Sequence, residues 1–299
     1  MDDLEYELDP RGDVFLVFNN VSQDLPNNLS DITKLSDWPE GFDNPSPPKS
    51  NQDESKKQAP SNEVGLTHAT GFALRRSLQI RVSSKHLILA CPQFERSLLN
   101  EFKEGITLRT TGYIHFPVQD WEAVPFLILM LIIHHRTRIV PEKVSFKRLA
   151  QIAQLVDYYE CHEAVRLFSD LWLTNLGIKS GIPISMDMAE KCLFISWVFN
   201  EAPAFQVASK YLESMSTSMI SFNQLPVPHL IQVAINRSRR KLITKIIESM
   251  NNLFSKLRDG PVQCSERCDC AQLGALVKGM HQIGILSLNI SIACVKNEH

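Results

Sequence analysis

Cys264, Cys268 and Cys270, with His281 further along, form the one cluster in the chain with the donor types of a zinc site. Zinc takes four sulfur or imidazole ligands in tetrahedral reach, usually from paired Cys-x2-4-Cys spacings. One pair fits here and no second pair exists. The ligand count therefore favours reduced cysteines capping a helix that starts near Asp269, with no metal and no cofactor expected. Cys161 and His162 offer a nucleophile beside a base, yet consecutive residues on a helix point about 100° apart and cannot form the required hydrogen bond. Cys161 is expected in a core instead. The run His134-His135-Arg136-Thr137-Arg138 has the groups to sense pH or bind an anion, but cations after an apolar helix ordinarily answer the helix dipole. Arg237, Arg239, Arg240 and Lys241 make a dense basic run, which reads as a nuclear-localisation or nucleic-acid patch or, more commonly, as a solvated helix face. No glycine-rich phosphate loop, Gly-x-Ser-x-Gly elbow or His-Glu-x-x-His motif occurs. No catalytic residue is assigned, and a non-enzyme is expected.

The chain as a whole supports that direction. At 299 residues, 44% hydrophobic and 21% charged, it has apolar material for one large or two modest cores. The formal charge of -2 gives no global field for DNA, so nucleic acid is not the expected partner without a local patch. An acidic N-terminus without an apolar h-region argues against secretion, and seven cysteines, an odd number, read as reduced thiols. A cytoplasmic or nuclear location is expected, with Asn28 and Asn289 as chance sequons. The longest apolar run, residues 124–133, is about half the roughly 20 residues that span a bilayer, so it reads as a buried helix and no membrane is expected. Residues 283–295 read as a terminal strand or docked tail.

Several elements are legible from pattern. Residues 12–18 are β-branched and aromatic, bounded by Pro10 and Asn19-Asn20, and read as the first strand. Residues 19 to about 70 are rich in Asn, Asp, Ser, Pro and Lys and read as a disordered insertion, with Trp38 and Phe42 as anchors. Residues 78–82 alternate as a half-buried strand. Leu87, Cys91, Phe94 and Leu98 then form one helical stripe, bent or restarted at Pro92. Residues 107–116 read as a strand ending at Pro117, and Asp120 as the cap of a helix over 121–133. Leu149, Ile152, Ala153, Val156 and Tyr159 make a helical stripe, and Ala164, Phe168, Leu171 and Trp172 a second, predicting a helix hairpin. Residues 177–183 break the chain, giving a boundary near 180. Beyond it, Asp187 with Glu190 predicts a capped helix to Phe199, Pro203 opens another, and residues 228–258 form the longest amphipathic segment before Gly260-Pro261.

This order resembles the BTB/POZ domain, most closely the fungal BTB-domain proteins of uncharacterised role. The resemblance rests on the strand at Asp13-Val14, on Val82, Leu87, Cys91, Pro92, Phe94 and Leu98 in the strand-helix unit, and on residues 149–164, similar to the family's Leu/Ala/Tyr helix and following turn. It covers roughly half the chain. Two departures are visible: Ser83-Ser84 stands where the family usually has His-Lys, and a long insertion separates the first two strands. The resemblance implies an α+β fold, a small sheet packed with helices over residues 1–180, followed by an all-helical region over 181–299. It further implies a protein-interaction or scaffold molecule that homodimerises, with a substrate adaptor of a cullin-type ubiquitin ligase, or a nuclear transcriptional regulator, as alternatives.

Overall fold

The computed structural model describes residues 4–21, 25–34, 76–179, 181–222 and 225–285. It is an α+β structure in two compact units, residues 1–208 and 209–299. The Gly-rich break at 177–183 therefore lies inside the first unit rather than at its edge. The reason is packing: the helix after the break lies against an earlier helix of the sheet-bearing part.

Four strands form the sheet: β1 (Leu4–Glu7), β2 (Val14–Val21), β3 (Arg76–Val82) and β4 (Ile114–Val118), in the order β1-β3-β2-β4. The central pair β2 and β3 is antiparallel, with Val14 opposite Val82, Leu16 opposite Ile80 and Phe18 opposite Leu78. All six are buried, so one face of the sheet is fixed by alternation. The outer strands both run parallel to their neighbours. Pro117 is tolerated in β4 because that strand lies at the sheet edge, where a missing N–H breaks no ladder on its outer side. The sequence pattern puts the first strand at residues 12–18, but β1 precedes it, burying Leu4 and Tyr6.

Order also continues past Asn19, contrary to the expectation of an unordered segment from that point. β2 runs to Val21, and residues 29–34 form a 3-10 helix with Leu25 and Ile32 buried. The Tyr6 hydroxyl donates to Pro26 O, and Arg76 Nη2 donates to Asn27 Oδ1 at 2.9 Å. These contacts offset the ordering entropy that the polar composition alone would not. Trp38, Phe42 and the rest of the insertion from residue 35 lie outside the described residues, as do residues 286–295 of the expected terminal strand or tail.

After β3 come α1 (Ser84–Ala90) and α2 (Pro92–Leu99), separated by extended Cys91, so Pro92 opens a new helix at its N1 position. The expected strand at 107–116 is instead α3 (Lys103–Thr111) followed by β4. Strand-prone threonines misled the pattern: Thr107, Thr110 and Thr111 bond back to the carbonyls of Lys103, Ile106 and Thr107. Gly105 lets α3 close on the end of α2, since a Cβ there would sit 2.6 Å from the Leu98 and Asn100 oxygens. Gly112, at φ 79°, ends the helix in the left-handed conformation.

The helix α4 (Ala123–Ile133) is buried at every residue from Pro125 on, as an all-round apolar helix must be. Its cap is Glu122, not Asp120, which has φ 64°. Pro125 lacks the N–H that a start at Trp121 would use, so the helix begins where that missing donor falls among the unbonded first-turn groups. The hairpin α5 (Phe146–Tyr159) and α6 (His162–Asn175) forms as expected. On α6, however, the buried face is Val165, Ser169, Trp172 and Leu173, rotated from the predicted stripe; Leu171 is 40% exposed. Trp172 fixes the rotation by donating from Nε1 to Pro141 O at 2.8 Å. α7 (Met186–Val198) packs on α5 and is capped by Ser185 Oγ, which accepts from Met188 N, while Asp187 pairs instead with Lys191. α8 (Ala202–Met215) follows and crosses residue 208.

In the second unit, α9 (His229–Asp259) and α10 (Glu266–Gln282) pack together, consistent with an all-helical C-terminal region. α10 starts earlier than the cysteine pattern implied. Ser265 Oγ accepts from Cys268 N at 3.2 Å and caps it, and Asp269 Oδ2 accepts from Gln263 N at 2.8 Å. The cysteines do not cap the helix. Replacing Ser265 with alanine is expected to lower stability by about 1 kcal/mol, measured by urea unfolding. Among the described residues no helix is long and apolar enough to cross a membrane.

Candidate functional site

The junction between sheet and helices is held by Asp13. Its carboxylate accepts from Ser84 N at 2.7 Å and from Ser84 Oγ at 2.6 Å, so a residue entering β2 caps a helix that follows β3. Ser83 makes no cap of its own. This explains locally why Ser83-Ser84 serves at this position: Ser83 N donates to His134 Nε2 at 3.0 Å, and Ser84 supplies the second donor to Asp13. His134 is buried, with Nδ1 2.9 Å from Met130 O. That contact assigns its proton to Nδ1. Burial, aided by the neighbouring His86 ring 5.1 Å away, holds the His134 pKa down at about 4. His134 is therefore a neutral structural acceptor near neutral pH, not a helix-dipole cation. Arg136, from the same run, donates through Nε and Nη2 to Leu8 O at 3.0 and 2.7 Å, tying the end of β1 to the end of α4. An Asp13→Ala substitution is expected to cost about 2 kcal/mol by stranding the Ser84 donors, read as a lower urea midpoint at unchanged m-value.

A second set of contacts joins α2 to the α5–α6 turn. Phe94 stacks on Tyr159 with centroids 4.7 Å apart and meets Phe116 edge-on at 5.8 Å. Cys91 and Cys161 lie side by side beneath them, both buried. A hydrogen bond in which the Cys91 thiol donates to Cys161, together with burial, pushes the Cys91 pKa up, and burial does the same to the Tyr159 phenol. Such thiols are inert packing groups rather than nucleophiles. Arg96 pairs with Glu160 at the rim, and the guanidinium lowers that carboxyl's pKa. Glu160 itself has φ 56°, turning the chain sharply between the two helices.

The motif residues Val82, Leu87, Cys91, Phe94 and Leu98 are thus all core, and Pro92 sets the α2 start. They position a surface rather than form one. On α1 and at the start of α3, apolar side chains that the core does not use are left outside: Leu89 is 85% exposed, and Phe102 and Ile106, one turn apart, are 57% and 46% exposed. Tyr158 and Trp121 edge a small cleft of about 320 Å³ beside Phe94 and Phe116. Pattern reading assigned none of these outward residues; Leu89 was visible as the apolar position off the Leu87–Cys91–Phe94 stripe.

The metal candidates do not converge. Cys264 and Cys270 are exposed, and His281 lies eleven residues beyond Cys270, about 16 Å along α10. Among the described residues no group of three His, Cys, Asp or Glu could hold a metal ion. Cys161 and His162 part as well, the thiol buried and the imidazole exposed. No family model, curated protein or solved structure matches the chain.

Proposed function

We propose that this chain is a non-catalytic protein-interaction or scaffold molecule that self-associates through a BTB/POZ-like domain. The observation that carries the reading is Leu89. Leu89 is 85% exposed on a helix whose start is fixed by Asp13 and His134 and whose inner face is held by Leu87, so it is a rigidly presented apolar side chain whose burial against a partner would be favourable. The element order supports the family reading: antiparallel β2 and β3, α1 and α2 directly after, β4 parallel to β2, buried α4, then the α5–α6 hairpin. A second copy is the partner, because a two-fold interface needs only one self-complementary patch.

Light scattering after size exclusion tests it. A dimer is expected at micromolar concentration, and Leu89→Asp, with unchanged circular dichroism, is expected to weaken association at least about 10-fold. A monomeric parent protein sinks the reading. A sharper version is an adaptor for a cullin-type ubiquitin ligase, in which α7, packed directly on α5, extends the ligase-binding surface. An empty cullin pull-down removes that version and leaves self-association standing.

A further inference from the structure

The geometry points to a phosphate-backbone contact for double-stranded nucleic acid on one face of α9. Between Glu213 and Glu248 the sequence has no acidic residue, yet it carries Arg237, Arg239, Arg240, Lys241 and Lys245. In a chain of net charge -2 this is a strong local asymmetry. The structure sorts the five cations into two roles.

Arg239 is spent internally. Its Nε and Nη2 donate to Ser216 O at 3.1 and 2.7 Å. Beside it, Asn236 accepts from Ile220 N at 3.0 Å and donates to Ile220 O at 2.9 Å, and Ile235 is buried. Residues 216–220 are thus fastened to one side of α9. The other four cations fall at i, i+3, i+4 and i+8, with Thr244 at i+7, and so share a single face turned away from that side. All four are exposed, and together with Thr244 they line one shallow open hollow. Among the described residues none of the four has a carboxylate within ion-pair distance, and the one internal bond among them is a long one along the helix itself, from Arg240 Nε to Asn236 O at 3.4 Å.

The face spans about 12 Å along the helix axis, a length over which a duplex offers about seven phosphate charges. Lysine, arginine and a threonine hydroxyl are the donors that phosphate oxygens take. A bilayer fits less well. Leu242, Ile246 and Leu253 of α9 sit opposite the basic face, so a helix lying on them would hold its cations farthest from the headgroups; Leu230 and Val233 continue the basic stripe only at its N-terminal end, before Arg237. No aromatic residue lies on the face, so backbone contact, not base stacking, is the mode.

Fluorescence polarisation of the full chain with a labelled duplex of about 20 base pairs, titrated from about 50 to 200 mM salt, tests this. Four phosphate contacts predict a log-log salt slope near about -3.6 and about a 100-fold loss of affinity across that range. Lys241→Gln should reduce the slope by about 1, and Arg237→Gln, Arg240→Gln, Lys241→Gln and Lys245→Gln combined should abolish binding with helicity retained. Arg237→Lys with Arg240→Lys should keep the slope. Removing Lys256 and Lys278, equally exposed cations elsewhere in the hairpin, should leave it unchanged. The inference is overturned by absent binding at the lowest salt, by a combined variant that binds like the parent, or by tighter capture of polyglutamate or anionic vesicles than of DNA at matched charge.

Discussion

Replacing Phe94 with alanine is expected to destabilise the first unit by about 3–5 kcal/mol. Phe94 is 1% exposed and contacts two elements besides its own: it stacks on Tyr159 of α5 and meets Phe116 of β4 edge-on. Truncation removes the transfer free energy of the ring and leaves a void. The void cannot collapse, because α2 is fixed by Pro92 at one end and by the Arg96–Glu160 pair on its outer face. Aromatic pairing adds about 1 kcal/mol to the loss. Phe94→Leu should cost clearly less, since most of the volume remains. Urea unfolding followed by tryptophan fluorescence measures both, with Trp121 lying 6.4 Å from Tyr159 as a local reporter. A Phe94→Ala protein within about 1 kcal/mol of the parent would show that the seam does not hold α2 in place.

Acid should weaken the fold through His134. Burial lowers its folded-state pKa to about 4 from an unfolded value of 6.5. Between those values the unfolded chain binds a proton that the folded one refuses. Stability is therefore complete above about pH 6.5, falls as pH drops toward 4, and levels off below that, a total loss of about 3 kcal/mol. The structural reason is explicit: with Nδ1 directed at Met130 O, a second proton on Nε2 would oppose the Ser83 N–H that now donates to it. Carboxyl groups titrate in the same range, so the comparison is with His134→Gln. That variant keeps an acceptor for Ser83 and lacks the imidazole. Urea midpoints at about pH 7 and about pH 4.5 should converge in the variant relative to the parent; equal pH dependence in the two proteins would refute the assignment.

The strands β2 and β3, the split helix at Pro92 and the α5–α6 hairpin were legible because each carries its own period, two or 3.6, over a buried face. β1 has the same alternation in Leu4 and Tyr6 but only four residues of it, too short to stand out beside the charged neighbours Glu5 and Glu7. α3 was misread because its threonines satisfy their hydroxyls within the helix, a choice that composition does not display. The rotation of α6 depended on where Trp172 could find a carbonyl, Pro141 O, a contact 31 residues distant in sequence. For the candidate site the same division holds. The positions that build the surface, from Val82 to Leu98, follow from local pattern. Leu89 as a contact, the Asp13 cap and the segregation of Arg239 from its four basic neighbours all depend on tertiary partners that no local rule supplies.

The bond from Arg76 to Asn27 bears on how the sheet comes apart. It fixes the first residue of β3, where Arg76 pairs with Val21, to a segment that Tyr6 also holds through Pro26. The β2–β3 ladder is thus closed at both ends, by this clamp and by the Val14–Val82 pair beside the Asp13 cap. Opening from either end must first break a side-chain bond that is not part of the ladder, so the central pair should exchange its amide hydrogens as one unit.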